Sequence, residues 1–176
     1  MSANLPLDIR PVAPSELPVL RELAEDTFVA AFGAANTPED MASYVQANFS
    51  MEHFQKMYQQ AGVMFFLTWL DDQAVAYLKL NTGDAQSEKD LEDALEIERI
   101  YVDAAYQGKG LGQSLLAFSV AHARQLRKKW IWLGVWDQNQ GAIRFYERHG
   151  FRTFSQHDFF LGKDHQIDLL MKKKLA

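Results

Sequence analysis

The chain has 176 residues, 48% of them hydrophobic and 23% charged, with a formal net charge of −5. That length and balance describe one globular unit with a sizeable core. The acidic balance argues against nonspecific nucleic-acid binding, and the absence of cysteine excludes a disulfide framework, a thiolate metal site and a cysteine nucleophile. Met1 to Pro14 lacks the basic start and apolar stretch of a secretory signal, and the longest apolar run, Gly62 to Leu70, is too short to span a bilayer, so the expected setting is the cytoplasm, away from membrane.

In chain order, Leu7 to Val12 reads as a first strand. Ser15 is a cap for a helix with Pro18 early in it, and Leu17, Leu20, Leu23, Ala24, Phe28, Ala31 and Phe32 keep helical spacing up to Gly33. Thr37-Pro38-Glu39-Asp40 is a second start signal, with a cap, a proline at the first position and acids in the first turn. Ser50 caps a third, short helix. Val63 to Leu70 is a buried strand, Asp71-Asp72-Gln73 a tight turn and Ala74 to Leu80 its hairpin partner. Asn81 to Asp93 is an acidic connection. The strand Leu95 to Val102, a helix from Gly110 to about Lys128 and the strand Trp130 to Trp136 together imply a crossover and a parallel pair. A short helix, Asn139 to His149, ends at Gly150, and two strands, Thr153 to Leu161 and Gln166 to Lys172, close the chain.

The stretch Gln107-Gly108-Lys109-Gly110-Leu111-Gly112 joins the strand to the long helix. A glycine-rich turn at a helix N-terminus converges free backbone N–H groups and the helix dipole on one point, which suits a phosphate or pyrophosphate. The spacing fails the Walker loop, the dinucleotide-binding fingerprint and the nucleophile elbow. It matches Gln-x-x-Gly-x-Gly, a pattern that resembles the acetyl-CoA loop of the GCN5-related N-acetyltransferase (GNAT) superfamily. Asn139-Gln140-Gly141-Ala142-Ile143-Arg144-Phe145-Tyr146, followed by Gly150-Phe151, is similar to the second motif of that superfamily and stands in the expected order. Leu95 to Val102, Ile131 to Trp136, Asp84 to Glu88 and the ending Gln166 to Leu175 extend the resemblance to the PaiA-type spermidine/spermine N-acetyltransferases over nearly the whole chain.

The resemblance implies an α/β (α+β) fold over residues 1–176 as a single domain. Its mixed, mostly antiparallel sheet would have six or seven strands, helices on both faces and a splayed parallel strand pair. It implies acetyl-CoA as cosubstrate, held by Gln107, Gly108, Lys109, Gly110, Leu111, Gly112, Gln113 and Ser114 at the pyrophosphate. Ile100, Tyr101 and Val102 would meet the pantetheine arm, with Asn139, Ala142 and Phe145 across from them. Each position has a plainer reading as core, cap or solvated loop. Tyr146 matches the tyrosine that donates to the departing sulfur. An acceptor amine must also lose a proton, because an ammonium has no lone pair with which to attack. Glu96 and Glu98 are the base candidates, with Glu98 slightly ahead, and a salt bridge to Arg99 or a lysine is the alternative role. Strand alternation puts both on one face with Ile100 and Val102, a parity that a bulge would disturb.

The implied reaction is direct acetyl transfer to a primary amine such as spermidine or spermine. Rival readings are a peptide or amino-sugar acceptor and a noncatalytic acyl-CoA-binding regulatory module. The resemblance also allows a homodimer. The five histidines have no metal-ligand spacing, and His157-Asp158 and Asp164-His165 read as exposed pairs near turns.

Overall fold

The structure, a computed structural model, describes residues 7–175. Part of the N-terminal stretch tested for a signal, residues 1–6, lies outside the described residues. Seven strands form one sheet: β1 (Asp8–Pro11), β2 (Val63–Leu70), β3 (Gln73–Thr82), β4 (Ala94–Val102), β5 (Trp130–Trp136), β6 (Arg152–Leu161) and β7 (Asp164–Lys174). Their order is β1-β2-β3-β4-β5-β7-β6, with every neighbouring pair antiparallel except β4 and β5. The parallel pair is the one the crossover implied.

Local signals position most elements. Helix α1 (Leu17–Phe32) follows a single turn of tighter helix at Pro14–Glu16 rather than starting at Ser15. Helix α2 (Pro38–Asn48) is capped by Thr37, whose hydroxyl accepts from the Asp40 N–H at 3.1 Å. Helix α3 (Met51–Gln59) is capped in the same way by Ser50 from His53. Asp71 and Asp72 have φ of 48° and 64°, as a two-residue hairpin turn of mirror type requires. Gln73 therefore pairs with Leu70 as the first residue of β3 instead of belonging to the turn.

Each face of the sheet carries its own core. Leu78, Leu80, Leu95, Ile97, Ile131 and Leu133 pack against α4 (Leu111–Gln125) and α5 (Gln140–Arg148). On the other face Leu67 and Tyr77 meet α1, α2 and α3 through Leu20, Phe28, Met41 and Phe54.

The feature that makes a site is an irregularity in β4. Leu80 pairs with Ile97 and Lys79 with Arg99, so Glu98 is an extra residue without a partner in β3. A bulge bends its strand and resets side-chain alternation. Leu95 and Ile97 face α4, and after the bulge so do Ile100 and Val102. Glu96 and Glu98 point the other way, both bonded to Asn81. The simple alternation that grouped Ile100 and Val102 with the glutamates is thus overturned by one inserted residue. Pairing of β4 with β5 stops at Ile97 and Leu133, while β5 continues along β7 to Trp136. The two parallel strands separate from that point, and a cleft opens between them.

Candidate active site

The cleft has a volume of about 1080 Å³ and draws on every strategic segment. The glycine loop contributes Gln107, Gly108, Gly110 and Gly112, and β4 contributes Glu96 to Val102. Gly134 and Trp136 of β5 face them, with Asn139 at the cap of α5 and Ala142, Phe145 and Tyr146 along it.

The loop is shaped for an anion. Gly108 and Gly110 have φ of 75° and 82°, values open to glycine and strained for other residues. Gly110 is the N-cap of α4 and supplies no capping side chain, so the first-turn N–H groups of Leu111, Gly112 and Gln113 lack intrahelical acceptors. The Ser114 N–H closes the first turn on the Gly110 carbonyl, and its hydroxyl bonds the same carbonyl at 3.2 Å. Lys109 lies over the Tyr106 ring at 5.1 Å, outside the cleft lining.

Gly112 carries separate information. It is helical without positive φ, and a methyl group placed on it would meet nothing within 4 Å. Neither backbone strain nor protein packing calls for glycine there, whereas close approach by a ligand does. Gly112→Ala should accordingly leave the melting temperature unchanged or slightly higher, since alanine is the better helix former. The same change should weaken acetyl-CoA binding about tenfold, measured by calorimetry.

Asn139 has a definite local role. Its side-chain oxygen accepts from the Ala142 N–H at 3.1 Å and caps α5, which leaves its amide NH₂ for the cleft. Tyr146 is 8% exposed, packed against Phe145 and Phe151, and makes no side-chain hydrogen bond among the described residues. Burial pushes its hydroxyl up to about 12, so it keeps its proton at any physiological pH.

The two glutamates live in different surroundings. Glu96 is 3% exposed; it accepts from the Ser87 N–H at 2.8 Å, from the Ser87 hydroxyl and from the Asn81 amide at 3.2 Å. Burial outweighs those bonds and raises its pKa above the ordinary carboxylate value. Glu98 is also subject to the upward push of burial, but Lys79 reverses it. The ammonium of Lys79 pairs with Glu98, Asn81 adds a bond at 2.6 Å, and the carboxyl is held below its usual range. The salt bridge offered as an alternative role exists for Glu98, and its partner is Lys79, not Arg99.

That pair has a structural consequence. Lys79 is 6% exposed, so Glu98→Gln strands a buried ammonium. Breaking a buried pair costs about 3–5 kcal/mol. With the Glu98 side chain 30% exposed, about 2 kcal/mol is the expected loss here. The melting temperature should drop roughly 4–8 °C. Because the folded-state value is depressed, this stabilisation is present above the unfolded carboxylate value and disappears as pH falls through the lower folded one. Thermal melts of both proteins should therefore converge in strong acid.

Several cleft residues escaped the sequence reading. His157 bridges Glu88 at 2.8 Å and Asp168 at 3.3 Å, and is half-buried rather than exposed. The connection before β4 folds over the cleft, tied by Ser87 to Glu96 and by Gln86 to the Trp132 ring nitrogen at 2.9 Å. Lys79 and Asn81 carried the best available signal, as polar residues at alternate positions in an otherwise apolar strand.

Residues 19–151 match the Acetyltransferase (GNAT) family. The chain belongs to that family. As a GNAT member it is an acyltransferase with acetyl-CoA as cosubstrate, and the unused N–H groups, the open space at Gly112 and the parted strands fit that molecule. It is 38% identical over 165 residues to an uncharacterized N-acetyltransferase in the pepI 3′ region of Lactobacillus delbrueckii subsp. lactis, covering 94% of this chain and 95% of that protein. A shorter likeness, 41% over 64 residues, covers 36% of this chain and 42% of the spermine/spermidine N(1)-acetyltransferase of Bacillus subtilis. In fold, the PaiA N-acetyltransferase of Thermoplasma acidophilum, solved with coenzyme A, superposes with a TM-score of 0.76 at 20% identity, covering 96% and 98% of the two chains. Among the described residues no helix is long and apolar enough to cross a membrane.

Proposed function

We propose that this GNAT enzyme acetylates a small primary amine directly, with Glu96 as the base and Tyr146 as the donor to the departing sulfur. The observation that carries the reading is one cleft lined by a buried carboxyl, Glu96, and a buried hydroxyl, Tyr146. Glu96 is buried with a raised value, so it binds a proton more readily than an ordinary carboxylate. Tyr146 is buried with a raised value, so it stays a donor. A pair with such environments suits the two proton movements of amine acylation. Acetyl-CoA, once bound, supplies the activated acyl group. The protein's part is to hold the pyrophosphate at Leu111, Gly112 and Gln113 and the pantetheine between β4 and Asn139. Glu96 draws the ammonium proton directly or through water, and Tyr146 hydrogen-bonds the sulfur. Glu98 serves as the partner of Lys79, since its lowered value makes it the weaker base.

Polyamines are the acceptors that the partial likeness to the spermine/spermidine enzyme supports. The acidic connection adds less to that reading than its composition implies. Asp84 pairs with Lys89, Glu88 with His157 and Asp93 with Lys129. A panel of spermidine, spermine, lysine, a peptide amine and an aminoglycoside, followed by thiol release from acetyl-CoA, tests the proposal. Turnover with a free amine that falls sharply in the Glu96 and Tyr146 variants supports it. Tight acetyl-CoA binding without turnover on any amine would favour a regulatory binding module.

A further inference from the structure

A cationic group in the cleft has no role in the mechanism above. Arg99 follows the bulge on β4 and lines the cleft beside Tyr44, Phe49, Tyr77 and Tyr101. Its guanidinium lies over the Phe49 and Phe54 rings at 5.6 and 5.7 Å. Its Nη1 is sealed from solvent and has no hydrogen-bond partner, and no carboxylate pairs with the guanidinium within 4.0 Å among the described residues. The neighbouring acid, Glu98, is taken by Lys79 and Asn81. A guanidinium donor sealed from solvent without a partner is costly, and charges held among apolar groups are ordinarily paired. Aromatic faces offset part of that cost but accept none of the N–H bonds in the guanidinium plane.

We propose that Arg99 receives a carboxylate of the acceptor, so that the substrate is a primary amine bearing an acid group, an amino acid or a close analogue. The proposal rests on the amine-acetylation reading and narrows it. Guanidinium and carboxylate match in geometry, and their paired bonds are stronger than neutral ones. The arrangement sorts the two ends of such a molecule. Its ammonium is attracted toward Glu96, and its carboxylate toward the guanidinium between the aromatic rings. A bare polyamine meets the same guanidinium with like charge and leaves its Nη1 donor unpaired. A site that hydrogen-bonds a substrate group discriminates strongly against analogues lacking it.

Matched acceptors that differ only by the carboxylate provide the test: lysine against cadaverine, and ornithine against putrescine, scored by thiol release with wild type, Arg99→Gln and Arg99→Lys. In the wild type the carboxylated member of each pair should have the higher kcat/KM by about 100-fold. Arg99→Gln should erase that preference, acting mainly through the acceptor KM, with the acetyl-CoA KM unchanged. Arg99→Lys should restore part of it, since a point charge lacks the fork. A wild-type preference for the decarboxylated amines, or an equal loss on both members of each pair, overturns the proposal and leaves Arg99 as a strut between the sheet and α3. If no amine is turned over, the acetylation reading fails by itself. Calorimetry with Nε-acetyl-lysine, the product-like probe, then decides the role of Arg99. Binding that weakens at least tenfold in Arg99→Gln supports carboxylate recognition, and equal or absent binding refutes it.

Discussion

Replacing Glu96 by glutamine is expected to lower kcat about 1000-fold while the protein stays folded and binds acetyl-CoA as before. The expectation combines position and protonation. Glu96 lies where β4 parts from β5 and lines the cleft, and its burial raises its proton affinity. Glutamine keeps the shape and hydrogen-bonding length but cannot take a proton. Stability should move the opposite way from activity. A carboxyl with a raised folded-state value binds more protons folded than unfolded, so its contribution is most favourable below the unfolded value and falls as pH rises through the folded one. Above that folded value the ionised Glu96 strains the fold, and there Glu96→Gln should melt at the same temperature or higher. Its amide can donate to Ser87 or to the Asn81 carbonyl oxygen, which is buried without a partner. The pH profile supplies a second check. Wild-type kcat should rise with pH through a value above that of an ordinary glutamate, and the residual activity of the variant should lack this limb. Retention of full activity in Glu96→Gln, with loss in Glu98→Gln at temperatures where both are folded, would transfer the role to Glu98.

Tyr146→Phe should lower kcat about 100-fold with little change in either KM. The ring sits between Phe145 and Phe151, and phenylalanine keeps those contacts, so no large stability change is expected. Only the hydroxyl is lost. That hydroxyl is held at about 12 by burial, and a group so weakly acidic remains protonated throughout an assay range of roughly pH 6–10. Wild type should thus show no alkaline fall in kcat from this group within that range. An alkaline limb near pH 9 that disappears in Tyr146→Phe would mean the hydroxyl is less buried during turnover than it is here. Unchanged kcat in the variant would remove Tyr146 from the proton path.

The parts of the fold and of the site that were legible in the sequence are those set by local physics. The Gln-x-x-Gly-x-Gly turn, the caps at Thr37, Ser50 and Asn139, and the Asp71-Asp72 hairpin all depend on residues within a few positions of one another. Apolar patterning was sufficient for the strands and helices, because the helices bury one face and the central strands, covered on both faces, read as nearly continuous apolar runs. The order of strand, glycine loop, helix and strand carried the parallel pair as well, since a crossover of that length leaves few alternatives.

What the sequence could not decide depends on distant residues and on register. The difference between Glu96 and Glu98 comes from Lys79 and Asn81 across the sheet and from Ser87 in the connection, and two carboxylates two positions apart look alike until those neighbours are placed. The bulge that turns Ile100 and Val102 toward α4 is a one-residue mismatch between two strands, visible only once both are paired. His157 reaches Glu88 from 69 positions away, and Arg99 finds Phe49 and Phe54 on another layer. The sequence by itself determined the elements, the family and the glycine turn before α4, because short-range backbone and side-chain preferences govern them. The proton affinity of each carboxyl and the surroundings of the Arg99 guanidinium were left to the tertiary structure, because burial and long-range pairing set both and neither is a property of any local segment.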